Sequence, residues 1–254
     1  MGASRLAPFV RIIAGEVQSA TATTRLIIPS AGLLAWEPFE RVGETVTNRT
    51  RQFPPHGHER QEVLTYVSEG FAAYRVGDGP AKTVAPGSAL LLSSTSRITH
   101  SISAVQGPSV RWFALVLSLT RVLPEMRLQS SHRPETPTYE DTALVRHLVG
   151  SGAEMKSAAG LECREIEFVQ HSTSFVRVGH DRKAIVYALS GAGTVGGFGL
   201  EAGEGALVEG ASGIAIGGAP GLRVIVATAP LVPPDRGVSD RSMAGEPSSA
   251  RRPT

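Results

Sequence analysis

FPPHGHERQEVLTYVSEG, residues 53–70, sets His56 and His58 one residue apart in front of an alternating apolar run. Side chains on a strand alternate faces, so residues i and i+2 point the same way. If the segment is extended, both imidazoles enter one space. Glu62 lies four residues beyond His58 and has the same parity, so it is expected to join them. His100 lies at the end of the run Ile98 to Ile102, on a strand that can return beside the first. Three imidazoles and a carboxylate converging inside a barrel form a metal site with room for an exogenous ligand. The bland alternative is a set of buried histidines that only satisfy hydrogen bonds.

The rest of the chain reads as β-structure. Short apolar or alternating runs recur: Val10 to Ala14, Arg25 to Ile28, Thr45 to Phe53, Val63 to Val67, Phe71 to Val76, Ala89 to Leu92, Ile98 to Ile102 and Val110 to Leu117. Gly and Pro punctuate them, as in Gly77-Asp78-Gly79-Pro80 and Pro86-Gly87. This spacing predicts an all-β sandwich or barrel. The second half repeats the layout with Leu161 to Phe168, Ser174 to Val178, Ala184 to Leu189, Ala206 to Val208, Gly213 to Ile216 and Leu222 to Ala227. YVSEG (66–70) has a partner in YALSG (187–191), and APGSALLLSS (85–94) in EAGEGALVEG (201–210). Two copies of one barrel unit is the economical reading. The polar stretch SSHRPETPTYED joins them near residues 130–140. The expected division is a first barrel over 1–135, a second over 136–232 and a disordered, Pro/Ser/Gly/Arg-rich tail over 233–254. Tyr139 to Val149 fits a strand better than a short amphipathic helix.

Composition narrows the function classes. The 254 residues carry a net charge of only +2, and several arginines, Arg251 and Arg252 among them, crowd the last residues. This is no surface built for nucleic acid. The glycines of 191–199 precede no helix and imply tight turns rather than a phosphate loop. Cys163 is the single cysteine. It excludes an internal disulfide and reads as a structural thiol. Its strand-mates by parity, Glu165 and Glu167, suggest a solvated face. No basic segment followed by an apolar one opens the chain and no apolar run of about 18 residues occurs. A cytoplasmic protein without membrane partners is expected. His132 and His147 read as surface residues. His171 and His180 in the second half form no HxH, so that half reads as structural.

The order HxHxxxE, strand, Gly70, strand, Pro86-Gly87, strand, His100 resembles the two motifs of the cupin superfamily. FPPHGHERQEVLTYVSEG is more closely similar to the pirin signature, approximately PHPHRGFETVTYVLEG. The spacing from Pro86-Gly87 to His100 suits the pirin pattern PGDVQWMTAGRGIVHSE, and PSAGLLAWEPFERV resembles DPFLLLDEF. The resemblance covers most of residues 8–232. It implies a pirin-like bicupin of two jelly-roll β-barrels in tandem, with a metal in the first. Fe(II) is the ion it implies foremost, another divalent transition metal being possible. Carried across, the ligands are His56, His58 and His100. The family's fourth ligand, a glutamate, falls at Ile102, which cannot bind metal. Arg60 and Gln61 replace the family's Gly and Phe, and Ser94 to Ser96 its Ala-Gly. Glu62 is expected either to complete the site as ligand or catalytic base, or to pair with Arg60 or Arg97. The activity implied is a dioxygenase of the quercetin 2,3-dioxygenase type on a small aromatic or enolisable substrate, with Leu64, Phe53 or Trp112 as candidate lining. The alternative implied is a redox-sensitive regulator that binds a protein partner without turnover.

Overall fold

The computed structural model describes residues 9–18, 23–31, 33–48, 53–131, 138–140 and 142–231. Every regular element among them is a strand. The first ten are β1 (Phe9–Ala14), β2 (Glu16–Gln18), β3 (Thr23–Ile28), β4 (Phe39–Asn48), β5 (Phe53–His58), β6 (Gln61–Val76), β7 (Lys82–Val84), β8 (Ala89–Ser94), β9 (Ile98–Ser118) and β10 (Arg127–Ser131). The next ten are β11 (Thr138–Glu140), β12 (Ala143–Val149), β13 (Glu162–Phe168), β14 (Ser172–Arg177), β15 (Arg182–Ser190), β16 (Ala192–Val195), β17 (Phe198–Glu201), β18 (Glu204–Glu209), β19 (Gly213–Gly218) and β20 (Arg223–Pro230). No described helix is long and apolar enough to cross a membrane.

The internal repeat is carried by two large antiparallel sheets of matching order. One runs β10-β8-β6-β9-β4-β3-β2, the other β1-β18-β15-β20-β13-β12-β11. The matched sequence motifs do matched work. Gly70 (φ 72°) and Gly191 (φ 75°) both turn left-handed where the chain passes close to backbone; a Cβ on Gly70 would meet Ser109 O at 2.3 Å, and one on Gly191 would meet Leu222 Cα at 2.7 Å. Only glycine fits such a place. Likewise Gly87 N donates to Val67 O and Gly203 N to Ala188 O, so one turn closes each copy.

The two sheets pack face to face. Leu64, Tyr66, Phe113 and Leu115 of the first meet Cys163, Ile185, Tyr187 and Ile225 of the second in one apolar core. The opposite faces look inward. Val176, Val186, Val195, Ile216 and Val226 fill the second barrel, with the sheet β14-β19-β16-β17 closing it. The first barrel's interior holds Val67, Tyr74, Ile102 and Trp112, and remains partly open.

Several sequence expectations are refined. Val63–Val67 and Phe71–Val76 are one strand, β6, bent at Gly70; Ile98–Ile102 and Val110–Leu117 are one strand, β9. The run Thr45–Phe53 is instead the end of β4 and the start of β5. Tyr139–Val149 is strand, as β11 and β12. In chain order β1 precedes the first barrel, yet it pairs with β18 of the second. The face of Cys163 and Glu165 is not solvated. Cys163 lies in the core between the sheets, and Glu165 is fully buried between Arg146 (2.7 Å) and Arg223 (2.6 Å). Glu167 shares Arg146 at 3.1 Å. The connector at 132–137, with His132, and the tail from 232 onward, with Arg251 and Arg252, lie outside the described residues.

Candidate metal centre

His56 and His100 stand directly opposite each other on paired strands, β5 and β9. Opposed residues share a face, and His58, two residues on, shares it too. The three rings therefore meet, with centroids 4.2 Å apart for His56 and His100, 4.9 Å for His58 and His100, and 5.0 Å for His56 and His58. One ring nitrogen from each can be chosen so that all three lie within 4.8 Å of one another. Phe53 stacks edge-on against His56, and Tyr74 packs against His100.

The hydrogen bonds select the tautomers. His56 Nδ1 lies 3.1 Å from the Pro54 carbonyl, so it carries the proton. His58 Nδ1 donates to Gln61 Oε1 at 2.6 Å. The orientation of that amide is fixed at its other end, where Gln61 Nε2 donates to the Glu40 carboxylate. Both histidines are thus left with a bare Nε2. His58 Nε2 and His100 Nε2 face each other at 3.0 Å. Two nitrogens bound to one ion at about 2.0–2.1 Å stand roughly that far apart. His100 is buried, and its Nδ1 has no hydrogen-bond partner among the described residues. Burial lowers the pKa of all three, His100 to about 2, so each imidazole is held neutral, the form that binds metal. The donor set, its protonation and its spacing fit a transition-metal ion.

The histidines open onto a cavity of about 500 Å³. Phe53, Val63, Ile102, Trp112 and Val116 give it apolar walls, and Glu40, Arg41, Gln61 and Thr65 give it polar points. Glu40 and Arg41 both reach it because β4 bulges there: Phe39 pairs with Leu117 and Arg41 with Val116, which leaves Glu40 as the extra residue. A bulge puts two neighbours on one face and flips the parity of what precedes it.

The structure does not bring Glu62 to the histidines. Parity fails between His58 and Glu62 because Arg60 (φ 53°) turns the chain between β5 and β6. Gln61 faces the cavity; Glu62 faces the second sheet. There its carboxylate takes the Ser93 hydroxyl (2.8 Å), the Ser157 hydroxyl and the Ala158 N–H (2.8 Å). Neither Arg60 nor Arg97 is its partner. Leu64 likewise packs between the sheets rather than in the cavity. Gln61, Glu40 and Arg41 were not legible as site residues. The replacement of the pirin Phe by Gln61 was the one signal pointing their way.

The second barrel has no such centre among its described residues. His171 and His180 are exposed, and His180 bonds the Gly210 carbonyl at 3.0 Å. His147 is partly buried and bonds Glu140 at 2.8 Å.

No curated protein sequence matches the chain significantly. Residues 35–113 match the Pirin family model. Over these residues the chain is similar to pirin. That stretch holds His56, His58 and His100. The pirin-like fold extends across the described chain. It resembles GK1651 from Geobacillus kaustophilus, at 18% identity and TM-score 0.78, over 90% of this chain and 98% of that one. It also resembles the bacterial pirin YhhW from Escherichia coli in complex with nickel(II), at 15% identity and TM-score 0.76, over 88% and 100%. A quercetin 2,3-dioxygenase from Acinetobacter baumannii shares the pirin-like architecture at 15% identity and TM-score 0.73, over 87% and 79%.

Proposed function

We propose that this chain is a metal-dependent dioxygenase of the quercetin 2,3-dioxygenase type, acting on a small aromatic or enolisable substrate, with Fe(II) as the working ion. The observation that carries the reading is the convergence of three neutral imidazoles on an apolar-walled cavity large enough for such a molecule. His56, His58 and His100 would hold the ion. When bound, the metal would supply Lewis acidity toward the substrate's oxygens and a route for oxygen chemistry. The protein's own residues do the rest. Phe53 and Trp112, edge to face at 5.7 Å, offer ring contacts to an aromatic substrate. Gln61 holds the His58 tautomer, and Glu40 holds Gln61. Glu40, not Glu62, is the carboxylate on the cavity wall, and it would accept a proton from a substrate hydroxyl. The similarity to a nickel-bound pirin and to a quercetin dioxygenase supports the reading.

The test is oxygen uptake by Fe(II)-loaded protein against a panel of flavonols and catechols. Turnover that disappears in His56→Ala is the expected result. Ile102 favours a second reading, a redox-sensitive binding protein without turnover, because it removes a carboxylate from beside the metal. Stoichiometric iron with no oxygen uptake across the panel would favour that reading over the first.

A further inference from the structure

Among the described residues, Arg41 is the one arginine or lysine on the cavity wall. Its guanidinium is partly buried and makes no hydrogen bond or ion pair among the described residues. Burial lowers its pKa. Glu40, the only acidic residue of the lining, has turned its carboxylate to the Gln61 amide. Ile102, buried at 2% exposure, occupies the place where the pirin pattern carries a glutamate. The Arg41 guanidinium therefore stands on the cavity wall with no ion-pair partner among the described residues, because the neighbouring Glu40 carboxylate is bonded to Gln61 instead. Desolvated guanidinium groups left unpaired are costly, and their fork matches a carboxylate.

We propose that the molecule bound in this cavity is an aromatic acid, its carboxylate paired with Arg41 and an adjacent oxygen directed to the three histidines. Trp112, Phe53 and Ile102 would enclose its ring. The ligand's negative charge would take over the role of the carboxylate that Ile102 removes. The second contact rests on the metal reading above; the pairing with Arg41 does not.

The experiment compares salicylate with its neutral isostere salicylamide. Binding is followed by calorimetry and by tryptophan fluorescence, on chelator-treated and on Fe(II)-loaded protein kept anaerobic. Wild type is expected to prefer the acid by about tenfold or more, the scale of one charge-assisted contact. Arg41→Met and Arg41→Gln are expected to abolish that preference while leaving metal content unchanged and the melting temperature no lower than wild type. Arg41→Lys is expected to keep part of it. Loss of the preference in the variants of the chelator-treated protein supports the Arg41 contact even if no metal binds, so the two readings fail separately. Equal affinity of wild type for acid and amide, no binding of the acid, or a preference that survives in both Arg41→Met and Arg41→Gln overturns the proposal.

Discussion

At the scale of single residues, the site depends on how two side chains sit beside the imidazoles. Gln61 accepts from His58 Nδ1 and is itself held by Glu40. Partners of this kind fix ring orientation and are worth about 10–100-fold in metal affinity. Gln61→Leu is therefore expected to weaken Fe(II) or Ni(II) binding by that order in a chelator competition, with stability little changed. Ile102→Glu is expected to act in the opposite sense. It places a carboxylate in the cavity lining, tightens metal binding, and lowers the melting temperature of metal-free protein because it buries an unpaired acid. Both substitutions can be read by the same competition assay, so the two directions are measured on one scale.

At the scale of elements, β6 is the strand that joins two jobs. Gln61 faces the three histidines and Glu62, its neighbour, accepts from the Ser157 hydroxyl and the Ala158 N–H in the second half. Glu62→Ala removes a buried acceptor and strands three donors, so it is expected to cost roughly 1–3 kcal/mol in urea unfolding. Metal content is expected to stay at the wild-type level, which separates a clamp from a ligand. The strand pattern and the HxH pairing of this barrel were legible, because alternation and glycine placement follow directly from strand geometry. What parity could not carry were the irregularities. Arg60 in a left-handed conformation and the bulge at Glu40 each shift the face of their neighbours by one residue. A one-residue slip exchanges inside for outside. That is why Glu62 reads as a ligand from sequence while Gln61, Glu40 and Arg41 do not read as site residues. The merging of paired runs into the long strands β6 and β9 has the same origin, since glycine at 70 bends a strand where sequence alone suggests a turn.

At the scale of the whole molecule, the two sheets share one core, so the halves are expected to unfold together. Polar groups at this junction make its stability depend on pH. Glu44 is buried there, 3.8 Å from Arg111, and one of its oxygens lacks a hydrogen bond. Burial raises its pKa to about 7. Because the folded state holds this proton more tightly than the unfolded chain, the benefit is complete below the ordinary carboxylate pKa of 4.5 and is lost as pH rises through about 7. The urea midpoint is expected to fall between pH 5.5 and 8, by on the order of 1–3 kcal/mol in stability. In Glu44→Gln this fall is expected to vanish. An unchanged pH dependence in that variant would show that the group titrates elsewhere.

His56, His58 and His100 are expected to hold a metal. The most direct test is the metal content, by mass spectrometry, of protein purified without a histidine tag, wild type beside His56→Ala/His58→Ala. Near-stoichiometric transition metal is expected in the wild type and none in the double variant. No metal in the wild type, even after anaerobic addition of Fe(II), would contradict this.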